Sequence, residues 1–120
     1  MSDPAGWLTG TEAALLRRHA TGIAVEVGTW RGLSASVMAP HVDLLFCVDP
    51  HDCFDGLEES WPQFLGWLAE KDIRNVIPIR IPFEHATPFL PLTVDFVYVD
   101  GDHTYESVRA NVLEALQMAP

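Results

Sequence analysis

The residues best placed to do chemistry stand in two short stretches. Glu26-Val27-Gly28-Thr29-Trp30-Arg31-Gly32-Leu33-Ser34 carries a carboxylate, two glycines and two hydroxyls within nine positions. Glycines at 28 and 32 permit a tight turn and a close backbone approach, with a helix start directly behind. About twenty residues on, Asp49 occupies the position at which a carboxylate binds ribose hydroxyls in nucleotide-binding α/β proteins. The dinucleotide fingerprint G-x-G-x-x-G is not met, because Glu26 replaces its first glycine and Arg31 its third. A carboxylate facing a pyrophosphate is repulsive, so NAD and FAD are disfavoured. A nucleoside carrying positive charge suits the pattern, and a structural turn without ligand is the plain alternative.

The surrounding elements must position these groups. Thr9 with Glu12 fits a capping box, predicting a first helix near 10–20 that Gly22 would end as a left-handed cap. Ile23–Val27, Leu44–Val48, Val76–Ile81 and Val94–Val99 read as strands, with Pro78 marking the third as an edge. Ser34–Met38 reads as a short helix. Ser60 with Gln63 fits a second capping box, opening a helix to about Lys71 whose Trp61, Phe64, Leu65 and Leu68 share a face. A last helix is expected over 104–117, with Asp102 as a candidate cap. Helices alternate with strands that are apolar on both faces. That predicts one α/β domain over 1–120, a Rossmann-like three-layer sandwich with a mostly parallel sheet. Ligands in such sheets sit beyond the carboxyl ends of the strands.

Composition narrows the partners. Seventeen acidic against seven basic residues give a formal net charge of −10 over 120 residues. The bases are scattered, so no basic patch invites nucleic acid. Asp43, Asp49, Asp95 and Asp100 interrupt every apolar run, and none approaches the roughly 18 residues of a membrane span. No secretory pattern opens the chain, and Cys47 and Cys53 read as reduced thiols; the expectation is a cytoplasmic protein.

With these residues on the page, the chain resembles the class I S-adenosylmethionine-dependent methyltransferases. Val25–Ser34 looks like their first motif. Asp95-Phe96-Val97-Tyr98-Val99-Asp100-Gly101-Asp102-His103-Thr104-Tyr105-Glu106 looks like the fourth-strand motif of the small-molecule O-methyltransferases related to macrocin O-methyltransferase. The resemblance implies S-adenosylmethionine as cofactor, bound by Glu26, Gly28, Thr29, Trp30, Gly32, Ser34, Asp49 and Asp100. Glu26 would lie near the cationic amino group of the methionine moiety, and Asp49 would take the ribose hydroxyls. Asp100 would lie beside the reacting centre and, as in metal-dependent relatives, help hold a divalent cation such as Mg. His103 would be the general base toward a small-molecule hydroxyl; a solvent-exposed or capping histidine is the other reading.

Relatives continue into further strands where this sequence reaches Gln117-Met118-Ala119-Pro120, so the resemblance implies a C-terminally shortened chain. The outer edge of Val94–Val99 would then lack a neighbour, and a homo-oligomer across it is expected, with Met1–Gly10 as the alternative cover. The reading is O-methylation of a small molecule, with a non-catalytic cofactor-binding remnant or partner subunit as the alternative.

The remaining aromatic and polar residues are read as follows. Trp7, Trp61 and Trp67 are expected in packing, while Trp30, inside the glycine loop, has cofactor or acceptor contact and packing as equal readings. His51, Asp52, Cys53 and Asp55 are expected in a solvated loop, and Arg80-Ile81-Pro82-Phe83-Glu84 is a candidate adenine contact.

Overall fold

The computed structural model describes residues 8–29, 32–51 and 60–99. Trp7, Trp30, Arg31, Asp52, Cys53, Asp55, Asp100, Asp102, His103 and the helix expected over 104–117 lie outside them. Among the described residues, four strands form one wholly parallel sheet: β1 (Ile23–Val27), β2 (Leu44–Val48), β3 (Val76–Ile79) and β4 (Phe96–Val99). Helices α1 (Gly10–His19), α2 (Leu33–Met38), α3 (Ser60–Glu70) and α4 (Phe83–Ala86) alternate with them. This is the expected Rossmann-like α/β architecture.

Side chains alternate across each strand, so two apolar sets form two cores. Ala24, Leu45 and Cys47 pack with Leu16 of α1, Ala35 and Met38 of α2, and Phe64 and Leu68 of α3. Val25, Val27, Phe46 and Val48 pack on the other face with Phe83, Ala86, Leu90 and Val94. Burial on both faces is why these strands read as continuous apolar runs. The order is β3-β2-β1-β4. The chain therefore steps outward from β1 through β2 to β3, then returns to β1's other side. That reversal makes the carboxyl ends of β1 and β4 the topological switch point, where such sheets hold ligands.

Several boundaries depart from the sequence reading. The Thr9 hydroxyl caps α1 as expected, accepting from the Glu12 amide at 3.0 Å. The helix then ends at His19, with Ala20 extended, so Gly22 does not cap it. Gly22 is left-handed (φ 57°) for another reason: it turns the chain into β1 beside Asp95. The Ile23 amide donates to Asp95 Oδ2 at 2.8 Å, and a Cβ on Gly22 would lie 2.1 Å from that oxygen. Pairing of β4 with β1 begins only at Ala24 and Phe96, so β4 starts two residues later than the apolar run. Pro78 does lie on an edge strand among those described, and β3 ends at Ile79 rather than 81. In α3 the inward positions are Phe64, Trp67 and Leu68, whereas Leu65 faces outward at 40% exposure.

Candidate functional site

At the carboxyl end of β1 the ladder runs on by one bond, the Gly28 amide donating to Val48 O at 2.9 Å. Gly28 has φ 88° and Gly32 φ 95°, a region that side-chain-bearing residues enter only with strain. Gly32 carries a second constraint, since a Cβ there would meet Phe64 Cδ1 at 2.9 Å and Trp67 Cδ1 at 3.2 Å. Its amide donates to Thr29 O at 3.1 Å, closing the turn from which α2 starts. Glu26 lies wholly buried on β1, and the Ser34 hydroxyl donates to its Oε2 at 2.5 Å. One bond thus ties the strand before the turn to the helix behind it.

Burying a carboxylate costs free energy unless its charge is compensated. Its register partners across the sheet are Cys47 and Tyr98, neither of which is cationic. Burial pushes the Cys47 thiol well above the ordinary cysteine range; the Glu26 carboxylate adds to this, and the Thr29 hydroxyl opposes it. Thr29 is itself buried, and its hydroxyl makes no hydrogen bond of good geometry among the described residues. The turn thus gathers a buried carboxylate and a buried hydroxyl.

Asp49 follows β2, its amide donating to Ile79 O at 3.1 Å and its side chain half-buried. Its Oδ1 accepts the His51 amide at 2.7 Å. His51 corrects the sequence reading, because it is no solvated loop residue: it is 2% exposed and left-handed at φ 55°. Its ring stacks on Phe64 (centroids 5.2 Å apart, 27° between planes) and meets Trp61 edge-on at 5.1 Å. Its Nδ1 lies 2.8 Å from Ser60 Oγ, at the first residue of α3. The Ser60 hydroxyl, expected to cap that helix, is therefore engaged with a side chain nine positions earlier in the chain. Arg80 stands over the Trp61 ring with Cζ 5.1 Å from its centroid, so the segment after β3 reaches this cluster. The sequence held one clue to His51: an aspartate commonly bonds the amide two residues on, and histidine tolerates the left-handed region.

Glu26, Gly28, Thr29, Gly32 and Ser34 thus gather around one turn, with Asp49 on the neighbouring strand end. Trp30, Asp100 and His103 lie outside the described residues. Trp67 is buried and Trp61 half-buried, as packing residues are. No group of three or more metal-ligating side chains stands together among the described residues, and no helix among them is long and apolar enough to cross a membrane.

Solved structures share this fold. The O-methyltransferase TomG from Streptomyces achromogenes, in complex with SAM, superposes with a TM-score of 0.76 at 18% identity, covering 95% of this chain and 53% of TomG. Cofactor-bound Rv0187 from MTB gives 0.78 at 18% identity, with 98% and 54% covered. An rRNA methylase from Streptococcus thermophilus gives 0.72 at 12% identity, with 92% and 63% covered. The chain thus spans somewhat over half the length of these proteins. No curated protein matches the sequence. The family described as methyltransferase domain matches residues 25–120, and the chain belongs to that family.

Proposed function

We propose that the protein is an S-adenosylmethionine-dependent methyltransferase whose acceptor is a hydroxyl of a small molecule, in the branch related to macrocin O-methyltransferase. The observation that carries this reading is the buried Glu26 carboxylate, held by Ser34 around a left-handed glycine turn at the switch point, with Asp49 at the end of the neighbouring strand. A sulfonium cofactor with a cationic amino group fits a buried carboxylate at this strand end; a pyrophosphate does not. TomG, an O-methyltransferase in complex with SAM, supports the same reading, and the family includes the matched motif residues. The rRNA methylase among the similar structures points to a polyanionic acceptor, but a net charge of −10 opposes one.

When bound, the cofactor supplies an already activated methyl group for in-line displacement at carbon. The protein's contribution is then placement. Glu26 and Ser34 fix the turn and its charge, Gly28 and Gly32 let the backbone come close, and Asp49 accepts from the ribose hydroxyls. Orientation of this kind supplies roughly 7–11 kcal/mol of the barrier. His103 is assigned as the base that takes the acceptor proton, and Asp100 as the carboxylate beside the reacting centre and ligand to a divalent cation, if one is used. Base assistance adds on the order of 10²–10⁴-fold.

Calorimetric titration with S-adenosylmethionine and S-adenosylhomocysteine tests the reading. Asp49→Ala is expected to weaken both by about 1–3 kcal/mol, because ribose hydroxyls lose a charged acceptor. Equal affinity in the variant removes Asp49 from the site. Turnover on a panel of phenolic and sugar hydroxyls tests the acceptor class, and binding without turnover favours the non-catalytic alternative.

A further inference from the structure

We infer that His51 and Ser60 form a latch that sets the carboxylate of Asp49, so that Asp49 grips the cofactor ribose only while α3 is docked. The inference rests on the reading of Asp49 given above. Three observations converge on it. The His51 amide donates to Asp49 Oδ1 at 2.7 Å, fixing one carboxylate oxygen, and the backbone at His51 is left-handed. The His51 ring is held by two aromatic rings of α3, stacked on Phe64 and edge-on to Trp61. The Ser60 hydroxyl, at the first residue of that helix, fixes the ring's rotation through Nδ1 at 2.8 Å.

A left-handed non-glycine backbone is strained and persists only where its surroundings over-determine it. Here the surroundings are α3, with a hydrogen bond at its first turn and two aromatic rings. His51 is almost wholly buried, and its Nδ1 is joined to a hydroxyl that is itself buried. The same helix closes over the glycine turn, since Phe64 and Trp67 are the groups a Cβ on Gly32 would strike. Docking of α3 therefore bears on both halves of the proposed cofactor site at once: the turn through Gly32 and the ribose acid through His51. His51 is thus a positioning residue, acting through Asp49.

A double-mutant cycle read by S-adenosylhomocysteine affinity tests this on the full chain. Ser60→Ala is expected to weaken binding about three- to tenfold, the loss of one ordinary hydrogen bond. In the Asp49→Ala background the same change should alter affinity by less than about twofold, because the latch then has nothing to set. A merely structural effect would weaken both backgrounds alike, and that result overturns the latch. His51→Asn, which tolerates the left-handed backbone, repeats the cycle should Ser60→Ala fail to fold. Wild-type protein that binds neither S-adenosylmethionine nor its product overturns the functional reading and this inference with it. Wild-type binding with unchanged affinity in Ser60→Ala overturns the inference alone.

Discussion

At the amino ends of the strands, polar side chains stitch backbone to backbone. Asp95 takes the Ile23 amide, the Gly22 carbonyl takes the Asp43 amide at 2.8 Å, and Asn75 Nδ2 donates to Ala39 O and Val42 O at 2.8 and 3.1 Å. Each bond joins the entry of one strand to its neighbour's, from β4 across to β3. At the carboxyl ends, buried side chains also pair with side chains: Ser34 with Glu26, and Ser60 with His51. Glu26, Ser34, His51 and Ser60 are buried there, although the positions could have been filled by apolar residues. Replacing such groups by apolar ones of similar shape is often neutral or stabilising. The comparison teaches that one end of the sheet ties strand entries together, whereas the other, where the ligand is proposed to bind, buries polar side chains.

Changes at the two ends should therefore separate stability from binding. The largest effect is expected at the amino end. Gly22→Ala forces a Cβ against Asp95 in a left-handed backbone and should cost about 2–4 kcal/mol in urea unfolding. A loss under about 0.5 kcal/mol would break the idea of a rigid clip there. At the other end, Glu26→Gln keeps the shape and an acceptor for Ser34 while removing the charge. S-adenosylmethionine affinity should fall by roughly 1.5–3 kcal/mol as its cationic group loses a charged partner. The ligand-free protein should meanwhile be as stable as wild type or more so, because a buried charge has gone. Joint loss of binding and stability would contradict the division between the ends.

The smallest effect belongs to Cys47, between the two ends on β2. Its thiol is held well above the ordinary range by burial and by Glu26, so the folded chain keeps a proton that the unfolded chain releases. Stability is then flat below the unfolded thiol value near 8.5 and declines above it, by at most about 1.4 kcal/mol per pH unit. Cys47→Ala should flatten that part of the thermal unfolding profile. An identical alkaline slope in both proteins would assign it to other groups.

Much of this was legible in the residues. β-branched runs apolar on both faces announce a parallel sheet, Pro78 announces an edge, and Thr9 with Glu12 announces a helix start, since each depends on near neighbours alone. The glycine turn was equally visible, because only glycine reads as permission for the backbone at 28 and 32. The burial of His51 was not. It is imposed by Ser60, Trp61 and Phe64 of α3, and a histidine after Asp-Pro carries no mark of what will cover it. Gly22 was read with the helix before it, whereas its geometry answers to Asp95, a residue 73 positions further along the chain. Long-range partners, rather than local preference, decided both.

The strand order also bears on how the molecule comes into being. Ala24 of β1 pairs with Leu45 on one side and with Phe96 on the other. The second pairing closes a loop more than three times as long, adding roughly 1 kcal/mol of closure entropy. A chain emerging from the ribosome with its amino end first therefore completes β1 early and β4 last among these strands. Until β4 arrives, one flank of β1 has no strand beside it, and the crevice between the two does not yet exist. The groups that would hold the cofactor are thus synthesised long before the cleft that lets them act together.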